Sequence, residues 1–138
     1  MNNFNNADYL HSNLTGQIIQ AAMHVHNHLG YGFLEKVYEN SLLIQLRKMG
    51  FSVRQQERID VFFEDNLVGN YIADLVVEER VIIEIKATKE MHSRFEVQLV
   101  NYLRATQIEV GLLLNFSDSL KVKRRVFTNN LKVAPKDQ

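Results

Sequence analysis

The chain has 138 residues, of which 46% are hydrophobic and 23% charged, a composition typical of one globular domain. It contains no cysteine, which excludes structural disulfides and thiolate metal sites. The formal net charge is +0, which argues against nucleic-acid binding by bulk charge alone.

The first eleven residues are rich in asparagine, and we expect residues 1–11 to be disordered. They lack the basic region and the apolar core of a signal peptide, and no apolar run approaches the roughly 20 residues that span a bilayer. A cytoplasmic protein without membrane contact is therefore expected. We predict one domain over residues 12–128 and a polar tail over residues 129–138.

Two helices are predicted first. From about Ser12 to Gly30, apolar residues recur at spacings of three or four, the period of a helix with one buried face. Gly30 and Gly32 should end this helix because glycine tolerates the positive φ of a helix stop. A second helix is predicted over residues 33–49, with a buried face formed by Leu34, Val37, Leu42, Leu46 and Met49.

The rest of the chain predicts a sheet interrupted by one helix. Residues 51–56 and 59–64 form one long strand or two short ones, and residues 68–77 and 81–86 form a hairpin. A helix follows at residues 93–106. The apolar run 110–116 indicates a central strand covered on both sides, and the basic run 121–127 indicates an edge strand. The order predicts an α/β or α+β fold with a mixed sheet flanked by helices.

The strongest chemical signal is Asp74 on one hairpin strand and Glu84-x-Lys86 on the other. Side chains on a strand alternate between faces, so Glu84 and Lys86 point to the same side. Burying carboxylates among aliphatic side chains is unfavourable unless a cation neutralises them, which a divalent metal and the nearby ammonium would do. An exposed cross-strand ion pair is the structural alternative.

Two weaker signals lie on helices. Glu35 and Tyr38 are one helical turn apart, and so are Gln98 and Tyr102. Glu35 could equally be a carboxylate that favours a helix N-terminus, and Gln98 with Tyr102 could be the edge of an amphipathic helix. Neither pair identifies a function by itself.

Together these motifs resemble a known family. Gly32-x-x-Glu35-x-x-Tyr38, Tyr71-Ile-Ala-Asp74, Glu84-Ile-Lys86 and Gln98-x-x-x-Tyr102 are similar to the motifs of the GxxExxY proteins, a branch of the PD-(D/E)XK nuclease superfamily. The resemblance covers about residues 14–127. It implies a restriction-endonuclease-like core in which a mixed central sheet is flanked by helices.

The resemblance also implies roles for the residues. Asp74, Glu84, the backbone carbonyl of Ile85 and Glu35 would bind Mg²⁺ or Mn²⁺. Lys86 would orient or activate the attacking water. Gln98 and Tyr102 resemble the Gln/Tyr pair of RecB-like exonucleases, which supports the lysine and contacts the nucleic acid.

The function implied is a metal-dependent nuclease that hydrolyses phosphodiester bonds, with DNA favoured over RNA as the partner. A nuclease this small that cuts both strands of a duplex is often a homodimer, and the sequence leaves the oligomeric state open. The alternative is a catalytically inactive module of the same fold that binds nucleic acid or a protein partner.

Several other residues are weaker candidates. His24 and His28 have a metal-binding spacing, although a structural role is favoured for them and a metal-sensing site is the least supported interpretation. The remaining candidates, suggested for contacts with phosphates or bases, are Lys121, Lys123, Arg124, Arg125, His92, Arg94, Tyr31 and Phe33.

Overall fold

The computed structural model describes residues 10–133. In chain order the elements are α1 (Ser12–Leu29), α2 (Glu35–Lys48), β1 (Val53–Phe63), β2 (Asn66–Val77), β3 (Val81–Lys86), α3 (Ser93–Arg104), β4 (Val110–Phe116), β5 (Leu120–Val126) and a short 3-10 turn (Asn129–Leu131). The five strands lie in the order β1-β2-β3-β4-β5. Only β3 and β4 are parallel, with α3 as their crossover, so the predicted mixed α/β sheet is confirmed.

The element boundaries differ from the predictions in a few places. Residues 53–63 form one long strand, which is one of the two alternatives predicted, and it begins two residues later than expected. Helix α2 begins two residues later than predicted, because Leu34 is extended and precedes the first helical residue. Leu34, Val37 and Met49 are exposed, so their predicted burial was wrong. Gly30 and Gly32 separate the two helices with φ of 72° and 108°, as predicted.

The sheet has a different hydrophobic core on each face. Helices α1 and α2 cover the first core, whose largest buried side chains include Ile18, Leu42, Leu46, Leu75, Ile83 and Leu112. Helix α3 alone covers the second core, which contains Val76, Ile82, Leu99, Leu103 and Leu113. Strand β4 is buried along its whole length because its alternate side chains enter the two cores, which confirms the prediction for residues 110–116.

Gly111 lets α3 approach the sheet closely. A Cβ atom at this position would lie 2.6 Å from Cδ1 of Leu99 on α3. Such a distance is far inside van der Waals contact, so any larger residue would force the buried Leu99 side chain to shift. The packing of Leu99, next to Gln98 on α3, therefore depends on a glycine in the facing strand.

Strand β2 has a partner strand on both sides only at its C-terminal end. Its partnership with β3 covers Leu75, Val76 and Val77, whereas residues 66–73 pair with β1 alone. Residues 57–73 of β1 and β2 thus form a two-stranded projection, here called the hairpin arm. On the N-terminal side of Leu75, β2 no longer pairs with β3, and the two strands separate at Asp74.

Residues 1–9 and 134–138 are outside the described part of the chain, and most of the predicted disordered segment falls there. Within residues 10–11, Leu10 packs against the first core. In the predicted tail, the Lys132 ammonium donates to the carbonyl oxygens of Thr106 and Ile108. Between residues 10 and 133, no helix has both the length and the apolar composition needed to span a bilayer.

Candidate metal and catalytic site

Asp74 and Glu84 meet where β2 and β3 separate. The backbone N–H of Asp74 donates to Oε1 of Glu84 at 3.1 Å, and the backbone N–H of Ile85 donates to Oδ2 of Asp74 at 2.8 Å. Each carboxyl group therefore replaces a missing ladder bond of the opposite strand. This exchange fixes both side chains and leaves the second oxygen of each carboxyl without a backbone donor.

The pair is electrostatically unfavourable in the absence of a cation. Glu84 is only 5% exposed, and burial, followed by the negative charge of Asp74, raises its pKa to about 9. Burial also raises the pKa of Asp74, and the nearby charges of Glu39 and Glu35 act in the same direction. Two adjacent carboxyl groups that both resist ionisation fit a site for a hard divalent cation, which would stabilise their charged forms.

Lys86 supplies the positive charge nearest to this pair along β3. It lies two residues after Glu84, and its charge lowers the pKa of both carboxyl groups. Its Nζ atom is 4.5 Å from the centre of the Phe95 ring at the start of α3. The cation–π contact holds the ammonium at the edge of the second core. Asp74, Glu84 and Lys86 are thus placed together, as the hairpin pattern predicted.

Helix α2 brings two further carboxylates toward Asp74. Glu35 lies exposed in its first turn, and Glu39 lies one turn later and is 3% exposed. Both raise the pKa of Asp74, Glu39 more strongly than Glu35. Sequence reasoning missed Glu39, although its i, i+4 spacing from Glu35 places the two on one face of the helix.

Gln56 connects Glu39 to Asp74. Its Nε2 donates to both oxygens of Glu39 at 3.0 and 3.1 Å and lies 3.5 Å from Oδ1 of Asp74. The backbone of Gln56 is left-handed, with φ of 55°, and the β1–β2 ladder is interrupted at this residue. A non-glycine residue in this conformation costs about 1 kcal/mol or more, and such strain concentrates at functional sites. No sequence pattern indicated this residue.

A cleft opens between the start of α2 and the sheet. Its volume is about 490 Å³, and its lining consists of Phe33, Leu34, Glu35, Lys36, Glu39, Gln56, Asp74 and Ala87. Asp74 therefore belongs both to this cleft and to the buried pair with Glu84. The cleft gives a ligand access to the carboxylates from the α2 side.

Gln98 and Tyr102 approach the carboxylates from α3. The Gln98 Nε2 donates to the Tyr102 hydroxyl at 2.8 Å, as their spacing of one helical turn allows. Burial and the charges of Glu84 and Asp74 raise the pKa of Tyr102 to about 12, so its phenol stays protonated at neutral pH. The neighbouring aromatic ring is that of Tyr71, at 5.7 Å between ring centres.

Tyr38 is placed differently from its partner in the motif. Glu35 is exposed at the cleft, whereas Tyr38 is fully buried in the first core and stacks on Phe116 at 4.6 Å. The Tyr38 hydroxyl donates to the Gly30 carbonyl at 2.8 Å and accepts from the Phe33 N–H at 3.3 Å. Tyr38 thus fixes the turn that precedes α2 and so positions Glu35 from behind.

The histidines of α1 lie apart from these carboxylates. The rings of His24 and His28 are 5.1 Å apart, and His26 bonds through Nε2 to the Ser117 carbonyl at 2.8 Å. Over residues 10–133, no three His, Cys, Asp or Glu side chains form a ready-made metal-binding group. A cation at Asp74 and Glu84 would therefore keep several ligands from water or substrate, as Mg²⁺ usually does.

The basic candidates divide into two groups. Lys121, Lys123, Arg124 and Arg125 lie on the edge strand β5, two strands away from β3, and Arg125 forms an ion pair with Glu96. By contrast, His92 and Arg94 pack against Phe95, the same ring that Lys86 contacts. Of the two groups, the second shares an aromatic contact with Lys86.

Comparisons with known proteins identify the superfamily and support the fold. The sequence profile of the PD-(D/E)XK nuclease superfamily matches residues 12–126, so the chain belongs to that superfamily. The crystal structure of SSO0001 superposes with a TM-score of 0.55 at 17% sequence identity, which supports the fold alone. The match covers 67% of this chain and 50% of SSO0001, so this chain spans about half the length of that protein. No curated protein matches the sequence.

Proposed function

We propose that this chain is a Mg²⁺- or Mn²⁺-dependent nuclease that hydrolyses phosphodiester bonds in DNA. The observation that carries the proposal is the Asp74–Glu84 pair, which two backbone hydrogen bonds fix in a position where burial raises both pKa values. Nuclease chemistry requires hard oxygen ligands of this kind. The spacing of Gly32, Glu35 and Tyr38 supports assignment to the GxxExxY branch of the superfamily.

The residues of the site have separate roles in this proposal. Asp74 and Glu84 would hold the cation, with the Ile85 carbonyl and Glu35 as further ligands, and the cation would supply Lewis acidity toward the phosphodiester. Lys86 orients the attacking water and offsets the negative charge that develops on the phosphate. Gln98 and the protonated Tyr102 lie at the same edge of the second core, where they support the lysine and contact the nucleic acid.

Calorimetric titration with Mn²⁺ and Mg²⁺ tests the metal site without knowledge of the substrate. We expect binding by the wild type and none by Asp74→Asn. Asp60→Asn is the matched control, because Asp60 is a carboxylate of the same hairpin that pairs with Arg58 away from the cleft. Asp60→Asn should bind the metal as the wild type does.

The activity itself is tested by incubating the metal-loaded protein with single- and double-stranded DNA and RNA. Cleavage that requires the metal and disappears in Asp74→Asn supports the nuclease. A wild type that binds neither cation at millimolar concentration contradicts it. That result would favour the inactive module of the same fold, which has no use for a paired carboxylate site.

A further inference from the structure

Large apolar side chains are exposed near the carboxylates on both faces of the sheet. On the α2 side, Phe33 is 48% exposed and Leu34 is 81% exposed, and both line the cleft beside Glu35. On the α3 side, outside the cleft, Tyr71 is 50% exposed, lies three residues before Asp74 on β2 and contacts the ring of Tyr102. Exposed apolar groups gathered at a polar site indicate a ligand with apolar faces of its own.

The two aromatic rings are held in place rather than left mobile. The backbone of Phe33 is fixed by its hydrogen bond to the Tyr38 hydroxyl, and its ring meets Tyr38 edge-on at 6.2 Å. Tyr71 rests against Tyr102, which Gln98 holds in turn. Rigid aromatic surfaces lose little entropy on binding, so both rings are prepared for a planar partner.

The charges of the cleft do not suit the backbone of a duplex. Its lining has three carboxylates, Glu35, Glu39 and Asp74, and one lysine, Lys36, which lies 3.0 Å from Glu39 in an ion pair. Binding to duplex DNA depends mainly on cationic contacts with phosphates. The carboxylates repel the phosphates of a single strand as well, so affinity here has to come from stacking of bases on aromatic side chains, and only unpaired bases offer their faces for it.

We propose that an unpaired strand crosses the open edge between β2 and β3, with one base stacked on Phe33 in the cleft, a neighbouring base stacked on Tyr71 on the α3 side, and the phosphate between them near Asp74 and Glu84. This inference rests on the proposed nuclease function and narrows its substrate class to single-stranded or locally unpaired nucleic acid. Tyr38 and Tyr102 act as positioning residues, because each holds one of the two stacking rings.

Fluorescence anisotropy with labelled oligothymidylate tests the proposal. The comparison ligands are an abasic oligonucleotide and a blunt duplex of the same length, measured in Mg²⁺ and in EDTA, with the DNA checked for integrity on a gel. We expect oligothymidylate to bind at least about 10-fold more tightly than the abasic strand or the duplex. Equal affinity for the abasic strand, or tighter binding of the duplex, would overturn the inference.

Variants locate the stacking surface. Phe33→Ala and Tyr71→Ala should each weaken oligothymidylate binding about 5- to 100-fold and leave abasic binding unchanged, whereas Tyr71→Phe should keep its affinity because the ring remains. Phe62→Ala, at an exposed aromatic residue near the tip of the hairpin arm, is the matched control. If Phe62→Ala loses as much affinity as Phe33→Ala, the cleft is not the binding surface.

The outcome for binding is independent of the outcome for cleavage. A protein that stacks oligothymidylate on Phe33 and Tyr71 but cleaves nothing would refute the nuclease and keep the stacking site. A protein that cleaves only intact duplex would keep the nuclease and refute the stacking site. Circular dichroism of each variant confirms that the fold is intact.

Discussion

The two cores differ in how completely helices cover them. The first core lies under α1 and α2, which have 18 and 14 residues, whereas the second lies under α3 alone, which has 12. Asp74, Glu84 and Lys86 are strand residues that lie at the edge of the second core. The face under α3 provides the burial that raises the pKa of Glu84, whereas the opening lies on the α2 side, where the cleft reaches Asp74.

The largest effect expected at the edge of the second core is on catalysis. Lys86→Ala should lower the cleavage rate constant about 1000-fold with little loss of Mn²⁺ affinity, because the ammonium acts on the water and the developing charge. Single-turnover cleavage and calorimetry measure the two quantities. Lys89→Ala, at an exposed residue of the following loop, is the control. Cleavage at the wild-type rate by Lys86→Ala would exclude this role.

Two neighbouring leucines of β4 allow the two cores to be tested separately. Leu112 enters the first core and Leu113 the second, where it pairs in register with Glu84. Both alanine variants should lose about 2–5 kcal/mol of unfolding free energy, because each leaves a cavity in a packed core.

Only Leu113→Ala should also change the metal site, since the cavity exposes Glu84 to water and so lowers its pKa. Urea denaturation measures the stability of each variant, and Mn²⁺ titration over a range of pH measures the site. Equal changes of metal affinity in Leu112→Ala and Leu113→Ala would mean that the cores are coupled.

The pH dependence of stability reports on Glu84. Its pKa in the fold is about 9 against an ordinary value of 4.5, so the native state binds more protons than the unfolded state between these values. The unfolding free energy of the metal-free protein should therefore fall as the pH rises through this range. Glu84→Gln should remove most of this decline, as thermal unfolding at several pH values would show.

A control carboxylate defines the baseline for that measurement. Glu79 lies exposed in the β2–β3 turn, where it pairs with Arg54 at 2.9 Å. Glu79→Gln should retain the decline of the wild type, because an exposed ion pair contributes little to stability. A decline that persists unchanged in Glu84→Gln would place its origin elsewhere in the chain.

The smallest expected effects come from two tyrosine hydroxyls. Tyr38→Phe should lower stability by about 1–3 kcal/mol, because the Gly30 carbonyl and the Phe33 N–H both lose their partner in the first core. Tyr102→Phe should lower stability by about 1 kcal/mol or less, because Gln98 can bond to water instead. The cleavage rate should respond in the opposite order, with a larger loss in Tyr102→Phe than in Tyr38→Phe. Denaturation and kinetic assays on both variants would measure the two quantities.

The sequence by itself determined the elements and the triad on the hairpin. Helical and strand periods identified nearly every element, and the alternation along residues 71–86 placed Asp74, Glu84 and Lys86 together. These predictions succeeded because they depend on local geometry, which repeats at 3.6 or 2 residues. The family resemblance supplied the superfamily, which the profile match confirmed.

Only the tertiary structure decided what surrounds that triad. Glu39 and Gln56 are 17 residues apart in sequence and meet because α2 packs across β1, where Gln56 adopts a left-handed backbone. The same packing buries Tyr38 and leaves Leu34 exposed. The helical period alone had predicted that Leu34 is buried. Such contacts depend on how separate elements pack against one another, and no local pattern in the sequence encodes that choice.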